Sequence, residues 1–223
     1  MTPLAWDSDF FGVSIARADI EVAELDSVLE EARSEGFDLV YLTAPGARVD
    51  AVTAAVRRGG RLVDIRTELD AGELAPATDA RARIATVADR EGVERAAVAL
   101  SSWSRFANDP RIPVERVREM YRIWARRCLE EGVVAVPDGQ GSGLVGVIPG
   151  AEAHILLVFV DAASAGRGLG RALLDSALAA AGAMSAHVST QAGNVPALRL
   201  FGGAGFRVRS VEAVLHLWLD EVS

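Results

Sequence analysis

The chain has 223 residues and a mass of 23.5 kDa, with 50% hydrophobic and 24% charged residues. That composition supports a sizeable buried core and excludes a disordered chain. The 23 basic residues stand against 31 acidic ones, a net charge of −8, which argues against a general nucleic-acid binder or a polybasic membrane binder.

No apolar run reaches the roughly 18–20 residues that span a bilayer. The start, Met1 to Asp7, lacks a basic segment followed by an apolar one, so a soluble cytoplasmic protein is expected. Periodicity predicts a strand at 13–20, a helix at 23–35, a strand at 38–43, a helix at 48–58 and a strand at 61–69. Residues 71–80, small, polar and broken by Pro76, read as a linker between an N-terminal portion (1–70) and a larger one (81–223). The second portion predicts a strand at 82–87, a helix at 89–100, an irregular stretch at 102–113 and a helix at 114–131. Strands follow at 132–137, 143–149 and 153–160, with a hairpin turn at 138–143. The end reads helix 168–182, strand 186–191, helix 194–203, and strands 205–210 and 212–219. The two portions echo one another as strand, helix, glycine corner, strand, the corners being Gly59-Gly60 and Gly203-Ala204-Gly205. Either half a domain is duplicated, or the pattern is the generic one of a helix stopped by glycine.

Residue types narrow the chemistry. All 23 basic residues are arginine, so a Schiff-base lysine, a P-loop lysine and a lysine general base are excluded. The single Cys128 excludes an internal disulfide and a multi-cysteine zinc site. His154, His187 and His216 are scattered, which argues against a histidine metal centre.

The most informative segment is His154–Asp161, nearly all apolar, then Ala162–Gly170, then Arg171-Ala172-Leu173-Leu174. A strand runs through a glycine-rich turn straight into an amphipathic helix. Gly166, Gly168 and Gly170 remove Cβ atoms where a ligand would approach backbone. The N–H groups that open the helix suit a diphosphate, with Arg167 and Arg171 adding charge. Glycines also simply turn chains, so the loop alone leaves both readings open. It lacks the GK[ST] ending of a P-loop and fits G-x-G-x-x-G poorly.

Together, Ala165–Leu174 and Thr190–Phe201 followed by Gly205-Phe206 resemble the acetyl-CoA loop and the Asn…Ala…Tyr…Gly-Phe segment of the GNAT N-acetyltransferases. Trp6–Gly12, Ser104–Pro113 and Tyr121–Trp124 are similar to the dTDP-fucosamine acetyltransferase (WecD-like) branch. The resemblance implies an α/β (α+β) GNAT acyltransferase fold. Its sheet is mixed, mostly antiparallel and splayed, flanked by helices, with an incomplete GNAT-like N-terminal half. It also implies an N-acyltransferase that uses acetyl-CoA or another acyl-CoA. The acceptor would be a small amine, a dTDP-amino sugar in first place, with a homodimer as the candidate assembly and neither nucleic acid nor membrane as partner.

On this resemblance the coenzyme is held by Phe159, Val160, Ala165, Gly166, Arg167, Gly168, Leu169, Gly170, Arg171, Asn194, Ala197 and Phe201. Pantetheine would add to strand 154–160 where that strand splays at a bulge. A backbone N–H at Phe159 or Val160 would stabilise the oxyanion, typically worth about 3–4 kcal/mol. Asn194 would hold pantetheine, cap the helix that starts there, or do both.

Two positions depart from the family pattern. Ala165 stands where Gln or Arg is usual. Phe201 stands where that branch has its general-acid tyrosine, and it has no proton to give. Losing a positioned acid slows transfer by roughly 10²–10⁴-fold. Tyr121 is the candidate substitute donor, with core packing as its other reading. His154, placed by two-residue alternation beside Leu156, Val158 and Val160, is either a proton relay or a half-exposed strand residue. Arg105, Phe106 and Asp109 are candidate acceptor contacts, with Arg105 and Arg111 suited to a nucleotide diphosphate. Alternatively, Ser104–Pro113 is a rigid connector. The competing functions are an acyl-CoA-binding pseudoenzyme and an acyltransferase with an altered acceptor in secondary metabolism.

Overall fold

The strands of this chain are buried mostly by helices laid across both faces of the sheet. The structure, a computed structural model, describes residues 1–221. In chain order the elements are β1 (Thr2–Pro3), α1 (Ala5–Phe11), β2 (Ile15–Asp19), α2 (Leu25–Ser34), β3 (Leu39–Pro45), α3 (Val49–Arg57) and β4 (Arg61–Ala71). Then come β5 (Ala82–Ile84), α4 (Arg90–Ala99), α5 (Val114–Glu131), β6 (Val133–Pro137), β7 (Gly143–Ile148) and β8 (Ala153–Val160). The chain ends with α6 (Leu169–Ala180), β9 (Ala186–Gln191), α7 (Val195–Gly203) and β10 (Arg207–Trp218). Short 3-10 turns occupy 100–103, 105–108 and 162–164.

The ten strands form one open sheet in the order β1-β2-β3-β10-β4-β9-β8-β7-β6-β5. Only β2/β3 and β8/β9 pair in parallel; the other neighbours are antiparallel. Helices α2 and α3 cover Val40, Leu42, Ala213, Leu215 and Leu217. Helices α6 and α7 cover Leu69, Ile155 and Val188. Ala213 sits opposite Ile65 in register, so by alternation the odd residues of β4 share its face and all four helices lie on one side. On the other side α1, α4 and α5 pack on Tyr41, Leu144 and Leu157.

The order β2-β3-β10 mirrors β8-β9-β4. Each set has a parallel pair and a long strand, and the long strands are exchanged: β10 lies between β3 and β4, and β4 between β10 and β9. The connector after β4 runs along α6. The Leu74 N–H donates to the Met184 carbonyl at 2.8 Å, and the Asp79 N–H to Ser176 Oγ at 3.0 Å.

Several elements differ from the sequence expectation: β1 was not predicted, and the strand expected at 82–87 ends at Ile84. The predicted pair of strands 205–210 and 212–219 is the single strand β10, in which a register shift between Val208 and Ser210 replaces a turn. The segment 5–11, for which no element was predicted, is a helix. Gly12, at φ 74°, ends it in the left-handed conformation that glycine adopts freely. Trp6 remains 47% exposed and stacks on Phe10.

Candidate functional site: a splayed sheet edge and a glycine loop

Strands β8 and β9 pair at only three positions, Ala153/Ala186, His154/His187 and Ile155/Val188. Beyond them β8 runs on to Val160 and β9 to Gln191 without further pairing to each other. The matching pair β2/β3 stays in register through five positions, from Ile15/Leu39 to Asp19/Thr43. The first half therefore has no such opening.

The cause of the divergence is on the other edge of β8. Gly146 pairs with Leu157 but Val147 pairs with Ile155, so Leu156 is an extra residue, a β-bulge that bends and twists the strand. The bulge resets the alternation. Leu156, Leu157 and Phe159 pack toward α4 and α5, whereas Ile155, Val158 and Val160 pack toward α6. This corrects the expected placement of His154: it lies on the opposite face from Val158 and Val160. There it stacks on His187, with ring centroids 4.5 Å apart. Burial, then the neighbouring His187, holds its pKa below the usual value.

The ladder also sorts the two candidate oxyanion donors. The Asp161 N–H donates to the Ser142 carbonyl at 2.9 Å, in the same register as Val160/Gly143 and Phe159/Leu144. Every second residue of an antiparallel strand faces its partner through the backbone. The Phe159 N–H is thus directed at β7, and the N–H groups of Val158 and Val160 face the open side.

The glycine loop lies at the end of β8. Gly166 and Gly168 take φ of 73° and 78°, and Gly168 is the N-cap of α6. No side chain caps that helix, so its first N–H groups have no side-chain acceptor. A Cβ on Gly168 would lie 3.0 Å from Nη1 of Arg81, which itself donates to the Arg167 carbonyl at 3.1 Å. Gly170 packs against Val160 and Leu200. Leu169 is buried beneath the loop and can offer only backbone, as Ala165 does. The Arg167 side chain is exposed, whereas Arg171 is tied to Asp175 and to the Gly203 carbonyl, both at 2.6 Å. This loop can hold a diphosphate through backbone N–H groups, with Arg167 as the exposed positive charge and Arg81 beside it already bidentate to Asp79, at 2.9 and 2.6 Å. Arg81, the first residue after the predicted linker, was not visible as part of it.

Asn194 caps α7: its Oδ1 accepts from the Ala197 N–H at 3.3 Å and its Nδ2 donates to Thr190 Oγ1 at 3.2 Å. Phe201 is 1% exposed and packs on Phe206 with centroids 5.5 Å apart. Cys128 is buried against Gly146, and burial pushes its thiol up to about 12, which excludes a thiolate nucleophile at neutral pH.

The acceptor-side residues separate. Asp109 is 2% exposed and its carboxylate is filled by His216 Nδ1 at 2.7 Å, Trp218 Nε1 at 3.0 Å and the Arg111 N–H at 3.0 Å. Phe106 lies in the core between Phe11, Tyr41 and His216. Arg111 is bidentate to Asp220, at 2.7 and 2.8 Å, and stacks on Trp218. Arg105 stands apart: its guanidinium lies 4.6 Å from the Phe106 ring and 5.0 Å from the Tyr41 ring. The nearby charges are Asp7, Asp64 and Arg66. Burial raises the pKa of Asp7 and of Asp64, with Arg105 opposing in each case. Tyr121 adjoins the same group, and burial raises its pKa. Asp7 and Asp64 carried no sequence signal, because only the packing of α1 beside β2 and of the 105–108 turn on β4 brings them to Arg105.

A bulged strand splayed from a parallel neighbour, followed by a glycine turn and a helix, decides the architecture. The fold is the GNAT acyltransferase fold. Residues 97–206 match the acetyltransferase (GNAT) family. Among solved structures, a conserved protein of unknown function from Staphylococcus epidermidis superposes with a TM-score of 0.65 at 11% identity, over 92% of this chain and 83% of that one. A GCN5-related N-acetyltransferase from Sphaerobacter thermophilus gives 0.52 at 20% identity, over 88% and 69%. A tandem GNAT protein from the clavulanic acid biosynthesis pathway gives 0.52 at 17% identity, over 88% and 69%. No curated protein matches the chain. No helix among the described residues is long and apolar enough to cross a membrane, and these residues contain no cluster of three or more His, Cys, Asp or Glu that could hold a metal.

Proposed function

We propose that the protein is an acetyl-CoA-dependent N-acyltransferase with a small amine as acceptor. One observation carries this reading: β8 loses its parallel partner just before the glycine loop, leaving an open strand edge that leads to a helix N-terminus. The residues fit the coenzyme, since Gly166 and Gly168 clear the loop and its N–H groups suit a diphosphate. When bound, acetyl-CoA supplies an acetyl group activated as a thioester. Val158 and Val160 offer N–H and carbonyl groups to an extended amide chain, and one of their N–H groups serves the carbonyl oxygen as negative charge develops there. Attack by the acceptor amine forms a C–N bond as the C–S bond breaks. A proton leaves the amine and the sulfur takes one up.

Tyr121 is our candidate donor to the sulfur, and Asp64 an additional candidate acceptor for the amine proton. The resemblance to the dTDP-fucosamine branch supports an amino sugar on a nucleotide carrier as the first acceptor to test. We read residues 1–70 as a partial copy of the second half that has lost the cofactor site. The mirrored strand order supports this, as does the similarity to a tandem GNAT protein.

Titration calorimetry with acetyl-CoA tests the shared part, and micromolar binding is the expected result. Thiol release over an amine panel tests transfer. Binding without thiol release above the uncatalysed rate would instead support a coenzyme-binding module, the reading that Phe201 favours. Phe201→Tyr restores the acid of the family pattern. If the sulfur lies over this ring, turnover rises about ten-fold; if Tyr121 is the donor, turnover stays level and Tyr121→Phe lowers kcat by about 100-fold or more.

A further inference from the structure

The face of the sheet that carries α1, α4 and α5 contains a charge that the fold itself does not use. Arg105 sits in the 3-10 turn 105–108, directly before α5. That turn is fixed in place. The Ser104 side chain accepts from the Phe106 N–H, and Asn108 Nδ2 donates to the Val63 carbonyl at 2.8 Å. The Arg105 side chain makes no hydrogen bond or ion pair among the described residues, and its Nε is buried without a partner. Each of its neighbours on this face is differently placed. Arg66 is paired with Glu212 at 2.5 Å and with Glu68 at 3.2 Å. Arg111 is bound to Asp220. Tyr41, only 2% exposed, sets its buried hydroxyl beside the same guanidinium and next to Asp7.

A half-buried guanidinium lying against two aromatic rings, with none of its donors paired, is an expensive arrangement unless a ligand completes it. Its planar fork matches a carboxylate or a phosphate. Asp7 and Asp64 lie close by, and their negative charge suits an ammonium next to that anion. Tyr121 connects the position to β8, since it packs in one cluster with Leu144 and Leu157.

We propose that Arg105 anchors a single anionic group of the acceptor, a carboxylate or a phosphate, so that the substrate is an amine carrying its own negative charge. This rests on the N-acyltransferase reading and names the acceptor class within it. With Arg111 held by Asp220, Arg105 is the arginine left for the task, which suits one compact anion better than a diphosphate gripped by two arginines.

The test is thiol release from acetyl-CoA by the full chain with paired amines: L-serine and serinol, L-alanine and alaninol, glucosamine 6-phosphate and glucosamine, and a dTDP-amino sugar. The expected result is that the anionic member of at least one pair exceeds its neutral counterpart at least 50-fold in kcat/KM. The arm that responds distinguishes a carboxylate from a phosphate source. Arg105→Gln should then raise the acceptor KM at least 30-fold while leaving the calorimetric Kd for acetyl-CoA unchanged. Arg105→Lys, which keeps the charge but not the fork, should recover part of the loss and guards against a folding defect, as read by thermal melting. Equal use of neutral and anionic amines overturns the proposal. So does an unchanged acceptor KM in Arg105→Gln, or a lack of both turnover and calorimetric binding for every anionic amine. Failure of acetyl-CoA itself to bind would instead overturn the reading on which the proposal rests.

Discussion

Gly168→Val should weaken acetyl-CoA binding by about 100-fold, close to 2.7 kcal/mol, with only a small loss of stability. Two physical effects combine at this residue. Its φ of 78° is a left-handed conformation that a β-branched residue reaches only at a cost of about 1–2 kcal/mol. The added side chain also starts 3.0 Å from the Arg81 guanidinium, so either Arg81 moves away from the Arg167 carbonyl or the first turn of α6 shifts. Both outcomes misplace the N–H groups proposed to grip the diphosphate. Backbone strain alone should lower the melting temperature by no more than about 2–8 °C in a chain of this size. Gly36→Ala provides the control. Gly36 has a φ of 75° and nothing within 4 Å of its Cβ position, and it lies in the first half, away from the loop. It should show the same modest loss of stability with no change in affinity. Calorimetry on the two variants separates strain from site damage, and a Gly168→Val affinity within three-fold of the parent would remove the loop from the binding site.

What the sequence made legible was what is encoded locally. The run from Ala153 to Leu174 declares its own strand, turn and helix, because the apolar stretch, the glycines and the amphipathic period are contiguous. The bounds of β8, α5 and β9 follow from the same kind of signal. A bulge in this strand was expected from the resemblance, but its place at Leu156 was not readable, because an extra residue exists only relative to β7; without that place, His154 was put on the same face as Val158 and Val160. Nor could the exchange of β4 and β10 be read, since strand order is decided by pairing across the whole chain. The repeated strand, helix, glycine corner, strand pattern was its only trace. Arg81 stands by Gly168 because β5 pairs with β6 beside α6, a contact between residues far apart in sequence. In the acceptor region the residue types were informative but their partners were not. Arg105, Asp109 and Arg111 share one segment, yet packing buries the carboxylate, ties one arginine to Asp220 and leaves the other without a partner.

Asp109→Ala should destabilise the protein by about 3–5 kcal/mol, enough to lower the melting temperature by about 10 °C. The carboxylate accepts from two buried side-chain donors, His216 and Trp218, and from the backbone of Arg111. Removing it leaves those donors without an acceptor in the core beneath Tyr41 and Phe106, and each unmatched donor costs about 1–3 kcal/mol. The pair also predicts the direction of pH dependence. Burial holds His216 below the ordinary imidazole value, and the Asp109 hydrogen bond only partly opposes this. The unfolded chain therefore binds a proton at higher pH than the folded one does. The stability linked to His216 is complete above about pH 6.5 and is lost as the pH falls from there toward the depressed folded value. Burial pushes Asp109 up, but the His216 bond, the Arg111 amide and Trp218 together outweigh it and lower its pKa. Its stabilising contribution is present above the unfolded value near 3.9 and fades below that. Thermal melts should thus be level from pH 8 to 7, decline as the pH falls below about 6.5, and steepen near pH 4. Because this cluster supports the turn that holds Arg105, Asp109→Ala should also raise the acceptor KM, and its acetyl-CoA affinity below the melting transition should remain that of the parent. A melting temperature within 2 °C of the parent, or a flat profile down to pH 5, would show that the buried carboxylate does not hold β10 to the acceptor side.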